Sequence, residues 1–530
     1  MNLQIKSRNQ YANKVQAIRK KLNTYTHSSF LNQLYIHFQS LRNPQNGLVS
    51  NFPWCCFLAL KWKYLGDVSS EARDINDREF DKIINRIYAL QNDASDLHQM
   101  NSIELEIRRM IISQMFYQTP AKAHMHALAR QFLWFCGSDS PWFRDNFLAQ
   151  TGIRLQDYYL ISFHLLTHNT LTGRTESLRI PLRELIIPLS PALNMTTLKN
   201  YLSLLSLYSE DLTSFFSRYA CDGPLASEYF EDTPLIKKPF LMDNEHLCVF
   251  SRTLLLQALT SAVPRLFSEF SPTPFKDKFG PVLESYLEDY IRKVFPELIS
   301  EKDIALLYRK NSTEGKKVDY ILPSNEGYVF IDSKAIEPHG DVKTSVSPVH
   351  LRGKLRSSFE KGIIQAQECC KIMNTINKRS RSELDAVLIV VHRDHFISTG
   401  NFLNKNISTE LFSDIEEKYG YLPVNRERIY YLTIDELEHL IDICEKKMVS
   451  VISVINQAVA DDAQPHRQKM NFGMHLQAIS PASYLSRTNL HNSYLNLIKM
   501  KEAAVQQSEG FWDGRVEIYL RALHFLTSRP

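Results

Sequence analysis

The sequence predicts an α+β, α/β-type protein: a predominantly helical N-terminal region, a core of αβββαβ order around a mixed sheet, and a helical C-terminal tail. Three observations carry this. Residues 1 to about 250 repeat their apolar positions three and four apart, as in SSFLNQLYIHFQSL and TLKNYLSLLSLYSEDLTSFFSRY, the period of a helix with one buried face. From about 281 to 445 helical patterns alternate with short apolar runs, the reading expected of an α/β domain. The run LDAVLIVVH (384–392) is apolar almost throughout, as a strand covered on both faces must be.

The elements of the core follow in order. PVLESYLEDYIRKVF is an amphipathic helix. DIALLYRK (303–310) reads as a strand, and KVDYIL and GYVFIDSKA as the next two. SSFEKGIIQAQECCKIMNTI (357–376) is a helix, LDAVLIVVH a strand, and ERIYYLTIDELEHLI (427–441) a strand followed by a helix started by Thr433 or Asp435. Upstream, KKPFLMDNEHLCVF (237–250) reads as a hairpin around Asp243-Asn244. FSPTPFKDKFGP (270–281), with three prolines and a glycine, reads as a boundary, and AVADDAQPHRQKMNFG (458–473) as a second soft region. The expected domains are therefore 1–250 (helical), 251–450 (core about 280–435) and 451–530 (helical).

Composition narrows the class. At 530 residues with 44% hydrophobic and 23% charged, the chain is long enough for about three domains and able to bury a core. A net charge of +4 is too small to name a partner, so any nucleic-acid surface must be a local patch. The eight cysteines form no CxxC, which speaks against a zinc site or disulfide scaffold and for reduced thiols in a cytoplasmic protein. FPWCCFLAL (52–60) stops at Lys61, well short of a membrane span, so no membrane partner is expected. No P-loop pattern is present, which argues against an ATP-driven motor.

The chemistry sits where charges interrupt strands. Asp and Lys are poor strand residues and costly to bury. Asp332 and Lys334 share one face of their strand, and a hairpin would bring Asp319 of the preceding strand close to Asp332. Two such carboxylates repel. A hard divalent cation resolves the conflict, and Mg²⁺ takes oxygen ligands. Lys334 beside it can orient a water for in-line attack on a phosphodiester. On the helix that precedes, the stripe Leu283, Tyr286, Leu287, Tyr290, Ile291, Val294 is the core face. Glu284 falls on its flank at about 100° per residue, better placed than Glu288 or Asp289 to look inward.

Glu284, Asp319 and the Asp332-Ser333-Lys334 triplet, in this element order and with the two aspartates 13 positions apart, resemble the PD-(D/E)XK, restriction-endonuclease-like nucleases. The resemblance covers about residues 280–435. It implies a restriction-endonuclease-like core in which Asp319 and Asp332 bind Mg²⁺ (Mn²⁺ as a substitute), the Ser333 carbonyl is a further ligand, Glu284 assists metal or water, and Lys334 positions the nucleophile. The first acid stands in VDY rather than after proline. Relatives carry a helical Gln followed four residues on by Tyr. Here Gln365 precedes Cys369 and Gln367 precedes Lys371, so neither is carried over.

Between the D-x-K strand and the next helix, Lys343, Arg352, Lys354 and Arg356 occur with no acid among residues 343–359. They are the candidate phosphate contacts. The expectation is a Mg²⁺-dependent endonuclease acting on nucleic acid, on DNA in preference to RNA. By resemblance it is of the kind found in bacterial anti-phage defence, with residues 1–250 binding a protein partner or trigger. The alternatives are a nucleic-acid-binding or scaffold protein on a degenerate nuclease fold, and a nuclease subunit active only in a complex.

Overall fold

The computed structural model describes residues 2–39, 52–95, 103–118, 121–167, 177–337, 340–394, 397–481 and 490–529. The chain is mostly helical, with two small mixed sheets, and separates into two compact units: Met1–Phe270 with Arg487–Pro530, and Ser271–Ser486. Among the described residues, no helix is long and apolar enough to cross a membrane.

The first unit packs its helices around an aromatic core. Helix α1 (Pro53–Leu65) is almost wholly buried, lysines included. Lys61 Nζ lies 2.8 Å from Glu228 Oε1, and Trp62 Nε1 donates to Glu228 Oε2 at 3.0 Å. A paired, hydrogen-bonded charge is the form in which a core tolerates one. This unit also holds a four-stranded sheet, of which the sequence marked only the hairpin at 237–250. Its strands are β1 (Leu178–Pro181), β2 (Ser206–Tyr208), β3 (Phe240–Asp243) and β4 (His246–Val249), in the order β1-β4-β3-β2. Strands β3 and β4 form the expected hairpin, turned by Asn244 at φ +50°, a conformation that Asn tolerates better than most residues.

The second unit is built on the order β5-β6-β7-β8-β9: β5 (Ile299–Ser300), β6 (Tyr320–Pro323), β7 (Tyr328–Lys334), β8 (Ala386–Val391) and β9 (Ile429–Thr433). The pairs β5–β6 and β6–β7 are antiparallel, and β7–β8 and β8–β9 are parallel. The expected mixed sheet is thus present, with β8 buried along its whole length. Helix α2 (Pro272–Arg292) buries Leu283, Tyr286, Leu287, Tyr290 and Ile291, the stripe that the sequence marks. Thr433 caps the helix after β9 through a capping box with Glu436.

One strand assignment gives way. DIALLYRK is not a strand but helix α3 (Glu301–Lys310), opened by a capping box between Ser300 and Asp303. Ile304 and Tyr308, four apart, are its buried pair, so a helical period was read as an apolar run. The strand of that position is the two-residue β5 just upstream. The segment 270–281 does hold the expected boundary, but it is helical. α2 starts at Pro272, where a missing N–H costs nothing, and the two units part between Phe270 and Ser271.

The units also divide differently from 251–450 and 451–530. Residues 252–270 form a helix in the first unit, where Tyr158 Oη donates to the Leu259 carbonyl at 2.9 Å. The helix Val451–Asp462 belongs to the second unit, where Arg428 and Tyr430 bond Asn456 and Asp462 at 2.8 and 3.1 Å. Residues from Arg487 on return to the first unit, where Trp512 Nε1 donates to the Ile187 carbonyl at 3.2 Å.

Candidate active site

Strand register sets the site. Tyr320 pairs with Ile331, so the residue before β6, Asp319, abuts Asp332. Asp319 Oδ2 accepts hydrogen bonds from the Ser333 backbone N–H at 2.6 Å and the Ser333 hydroxyl at 2.7 Å. The interaction fixes the end of β7. Asp332 is 1% exposed, and its Oδ2 forms an ion pair with the Lys334 ammonium. No aligned hydrogen bond reaches that oxygen. Lys334 and Asp332 stand opposite Val391 and Ile389, at the carboxyl ends of two parallel strands, the end at which open α/β sheets place ligands.

Two helices close on the pair. Helix α2 brings Glu284, and the Tyr320 hydroxyl donates to the Glu284 carbonyl at 2.7 Å, locking helix to strand. Helix α4 (Lys361–Ile376) brings Gly362 against Asp332. A β-carbon there would lie 2.7 Å from Asp332 Oδ2 and 3.5 Å from Lys334 Cε, so the approach requires glycine. Gly362→Ala is expected to push the Asp332 carboxylate aside. We expect a roughly hundredfold loss of activity, as for an ångström-scale misplacement, at an overpacking cost of about 1–3 kcal/mol. Activity and urea titration of the same preparation check it; full activity would mean that this contact does not position Asp332.

Glu284, Ser333 and Lys334 open on one cavity of about 360 Å³, also lined by Lys276, Lys354, Lys361 and Glu337. Burial, then the neighbouring Asp319, Glu301 and Asp332, push Glu284 up to about 7. Burial raises Asp332 as well, against the pull of Lys334. Both directions describe acids held out of water, with neighbouring carboxylates as a second cause.

The candidate phosphate contacts are placed unevenly. Lys354 lines the cavity. Arg352 points its guanidinium at Glu410, 2.8 Å away, and at Glu360, 3.5 Å away. Glu410 lies far along the chain and Glu360 just past the 343–359 window. Lys343 sits in the short helix Gly340–Thr344, and Arg356 is exposed just after the helix Pro348–Leu355; neither lines the cavity. Lys276 and Lys361 escaped notice because one lay in a presumed linker and the other at a helix start. Gln365 and Gln367 serve the fold: their amides donate to the Lys317 and Val424 carbonyls at 3.0 and 2.7 Å.

The donor chemistry of Glu284, Asp319 and Asp332 fits a hard cation, and Asp332 Oδ2, now paired with Lys334, is the atom that would take one. Among the described residues, however, no three His, Cys, Asp or Glu side chains stand in a geometry that could hold a metal ion. In this arrangement Lys334 neutralises Asp332. No known family profile, curated protein or solved structure matches the chain.

Proposed function

We propose that residues 271–486 form a Mg²⁺-dependent endonuclease that hydrolyses phosphodiester bonds of nucleic acid, DNA in preference to RNA. The observation that carries this reading is the meeting of Glu284, Asp332 and Lys334 at the carboxyl ends of β7 and β8, beside one lysine-lined cavity. Asp332, Asp319, Glu284 and the Ser333 carbonyl would hold the cation. Once bound, it would polarise the phosphoryl group and lower the pKa of a water.

The chain's own groups do the rest. Lys334, released from Asp332, donates to the attacking water and holds it in line. Asp319 keeps the Ser333 backbone at the end of the strand. Glu284, with its pKa near 7, accepts a proton only when deprotonated. Lys276, Lys354 and Lys361 receive the phosphate oxygens of the substrate backbone.

A second reading, a nucleic-acid-binding protein without chemistry, is favoured by the lack of a ready-made ligand trio among the described residues. Cleavage of plasmid, linear duplex, single-stranded DNA and RNA with Mg²⁺, Mn²⁺ or EDTA separates the two. We expect EDTA-sensitive cutting, with the Mg²⁺ concentration for half-maximal rate rising as pH falls through about 7, because proton and cation compete for Glu284. Lys334→Ala should reduce it about 10²–10⁴-fold. Binding without cutting in every metal would favour the second reading.

A further inference from the structure

The helical unit holds a cavity of about 670 Å³ that the nuclease reading leaves unused. Four cations line it, Lys199, Arg218, Lys238 and Arg529, against one acid, Asp211. Arg529 is already committed, 2.8 Å from Glu210. The other three meet neutral groups. Lys199 Nζ donates to the Ser528 hydroxyl at 2.9 Å and lies 4.4 Å from the Phe525 ring centre. Lys238 Nζ donates to the Ser203 carbonyl at 2.5 Å. The Arg218 guanidinium lies 5.3 Å from the Phe215 ring centre. Among the described residues, none of the three forms an ion pair with a carboxylate.

Cations that share one cavity without matching anions repel one another and lose hydration. Lys238 shows the strain: burial first, then Arg218 and Arg265, lower its ammonium to about 8. A buried hydroxyl oxygen, Ser206 Oγ, has no hydrogen-bond partner, and Ser206 lines the same cavity. The rest of the lining divides between an apolar wall, Leu202, Leu207, Phe215, Met242 and Leu526, and the hydroxyl side chains Ser203, Tyr208, Ser214 and Ser528.

We propose that this cavity binds a phosphorylated small molecule, with its phosphate on Lys199, Arg218 and Lys238 and its organic body against the apolar wall. A dianionic phosphate offers three acceptor oxygens to three cationic donors, whereas a monocarboxylate offers one charge. The volume lies in the range of small-molecule sites and far exceeds one phosphate group, so the ligand carries an organic part. The assignment stands independently of the nuclease reading, because it rests on residues of the other unit.

Isothermal titration of the full chain tests it, with adenosine 5′-monophosphate, glucose 6-phosphate, inorganic phosphate and adenosine as probes. We expect saturable binding of at least one of the two organic phosphates, weaker binding of inorganic phosphate, and none of adenosine. Arg218→Ala, at an exposed position, should weaken binding about tenfold or more, and Arg218→Lys should retain most of it. The double variant Arg218→Ala/Lys238→Ala should abolish it with helical content unchanged. Lys354→Ala, in the nuclease cavity, should leave it intact. Absence of saturable binding by both organic phosphates at millimolar concentration overturns the proposal, as does binding that survives the double variant or disappears with Lys354→Ala. Equal affinity for inorganic phosphate overturns the part that assigns an organic body.

Discussion

Asp332→Asn should abolish metal-dependent cleavage, by at least about a hundredfold, while changing stability in the absence of metal by no more than about 1 kcal/mol at pH 8. The two halves of this expectation have the same cause. Asp332 is a buried acid whose pKa is raised by burial, so the folded chain holds its proton to higher pH than the unfolded chain does. Stability from this group is therefore greatest at low pH and falls as pH rises from the ordinary carboxylate value through the raised one. Asparagine removes that penalty. It also removes the charge that faces Lys334, whose side chain reaches the cavity and keeps some access to water, and the two effects oppose each other. Metal supplies a readout besides activity. At a hundredfold excess over its Kd, Mg²⁺ should stabilise the wild type by about 2.7 kcal/mol and leave Asp332→Asn unmoved. Thermal melts with and without Mg²⁺, at pH 5 and pH 8, measure both halves. An Asp332→Asn variant that still gains stability from Mg²⁺ would remove Asp332 from the cation site.

The site strand was legible because its charges break a rule. An apolar run with Asp332 and Lys334 on one face has to answer for both, and a helix, a hairpin and a following apolar strand supply a setting in which they make sense. The same logic misread residues 303–310, because a short apolar run does not distinguish strand from helix. There the deciding signal was Ser300 with Asp303 three residues on, a capping box ahead of buried positions four apart. The small sheet of the first unit was half visible, as the hairpin β3–β4. Its outer strands β1 and β2, four and three residues long, lack the turn signal that Asp243-Asn244 gives the equally short β3 and β4. Among the cations, sequence spacing grouped Arg352 with Lys354, but only the fold reveals that Glu360 and Glu410 claim Arg352. Lys276 and Lys361 reach the cavity from two helices far apart in the chain, a proximity that no local pattern records.

Asp385 makes the complementary case, because in sequence it looks like Asp332: one acid beside an apolar strand. Its surroundings differ. Asp385 Oδ1 accepts from the Tyr328 backbone N–H at 2.7 Å and forms an ion pair with Arg379, and Cys370 Sγ lies 3.6 Å from its Oδ2. Arg379 in turn lies over the Tyr328 ring, 4.2 Å from its centre. Arg428 Nε holds the Asp385 carbonyl at 3.1 Å. Asp385 thus ties the first residue of β7 to the segment entering β8, and sets the parallel register that carries Asp332 opposite Ile389. Where Asp332 is paired with Lys334, which reaches the cavity, Asp385 has its charge and hydrogen-bonding capacity taken up by the fold. Asp385→Ala takes the partner from the partly exposed Arg379 guanidinium and from the Tyr328 N–H, so it should cost about 1–3 kcal/mol. The loss should appear as faster amide exchange across β7 and β8. Tryptophan fluorescence gives a control, since Trp54, Trp62, Trp134, Trp142 and Trp512 all lie in the first unit. Its emission in native buffer should not change. A cost below about 1 kcal/mol, or exchange in β7 and β8 as slow as in the wild type, would show that the parallel pairing holds without this carboxylate. Activity lost in Asp385→Ala should fall together with the structure of β7, whereas in Asp332→Asn it falls while the strand stays protected, and that difference separates the aspartate that builds the site from the one that works in it.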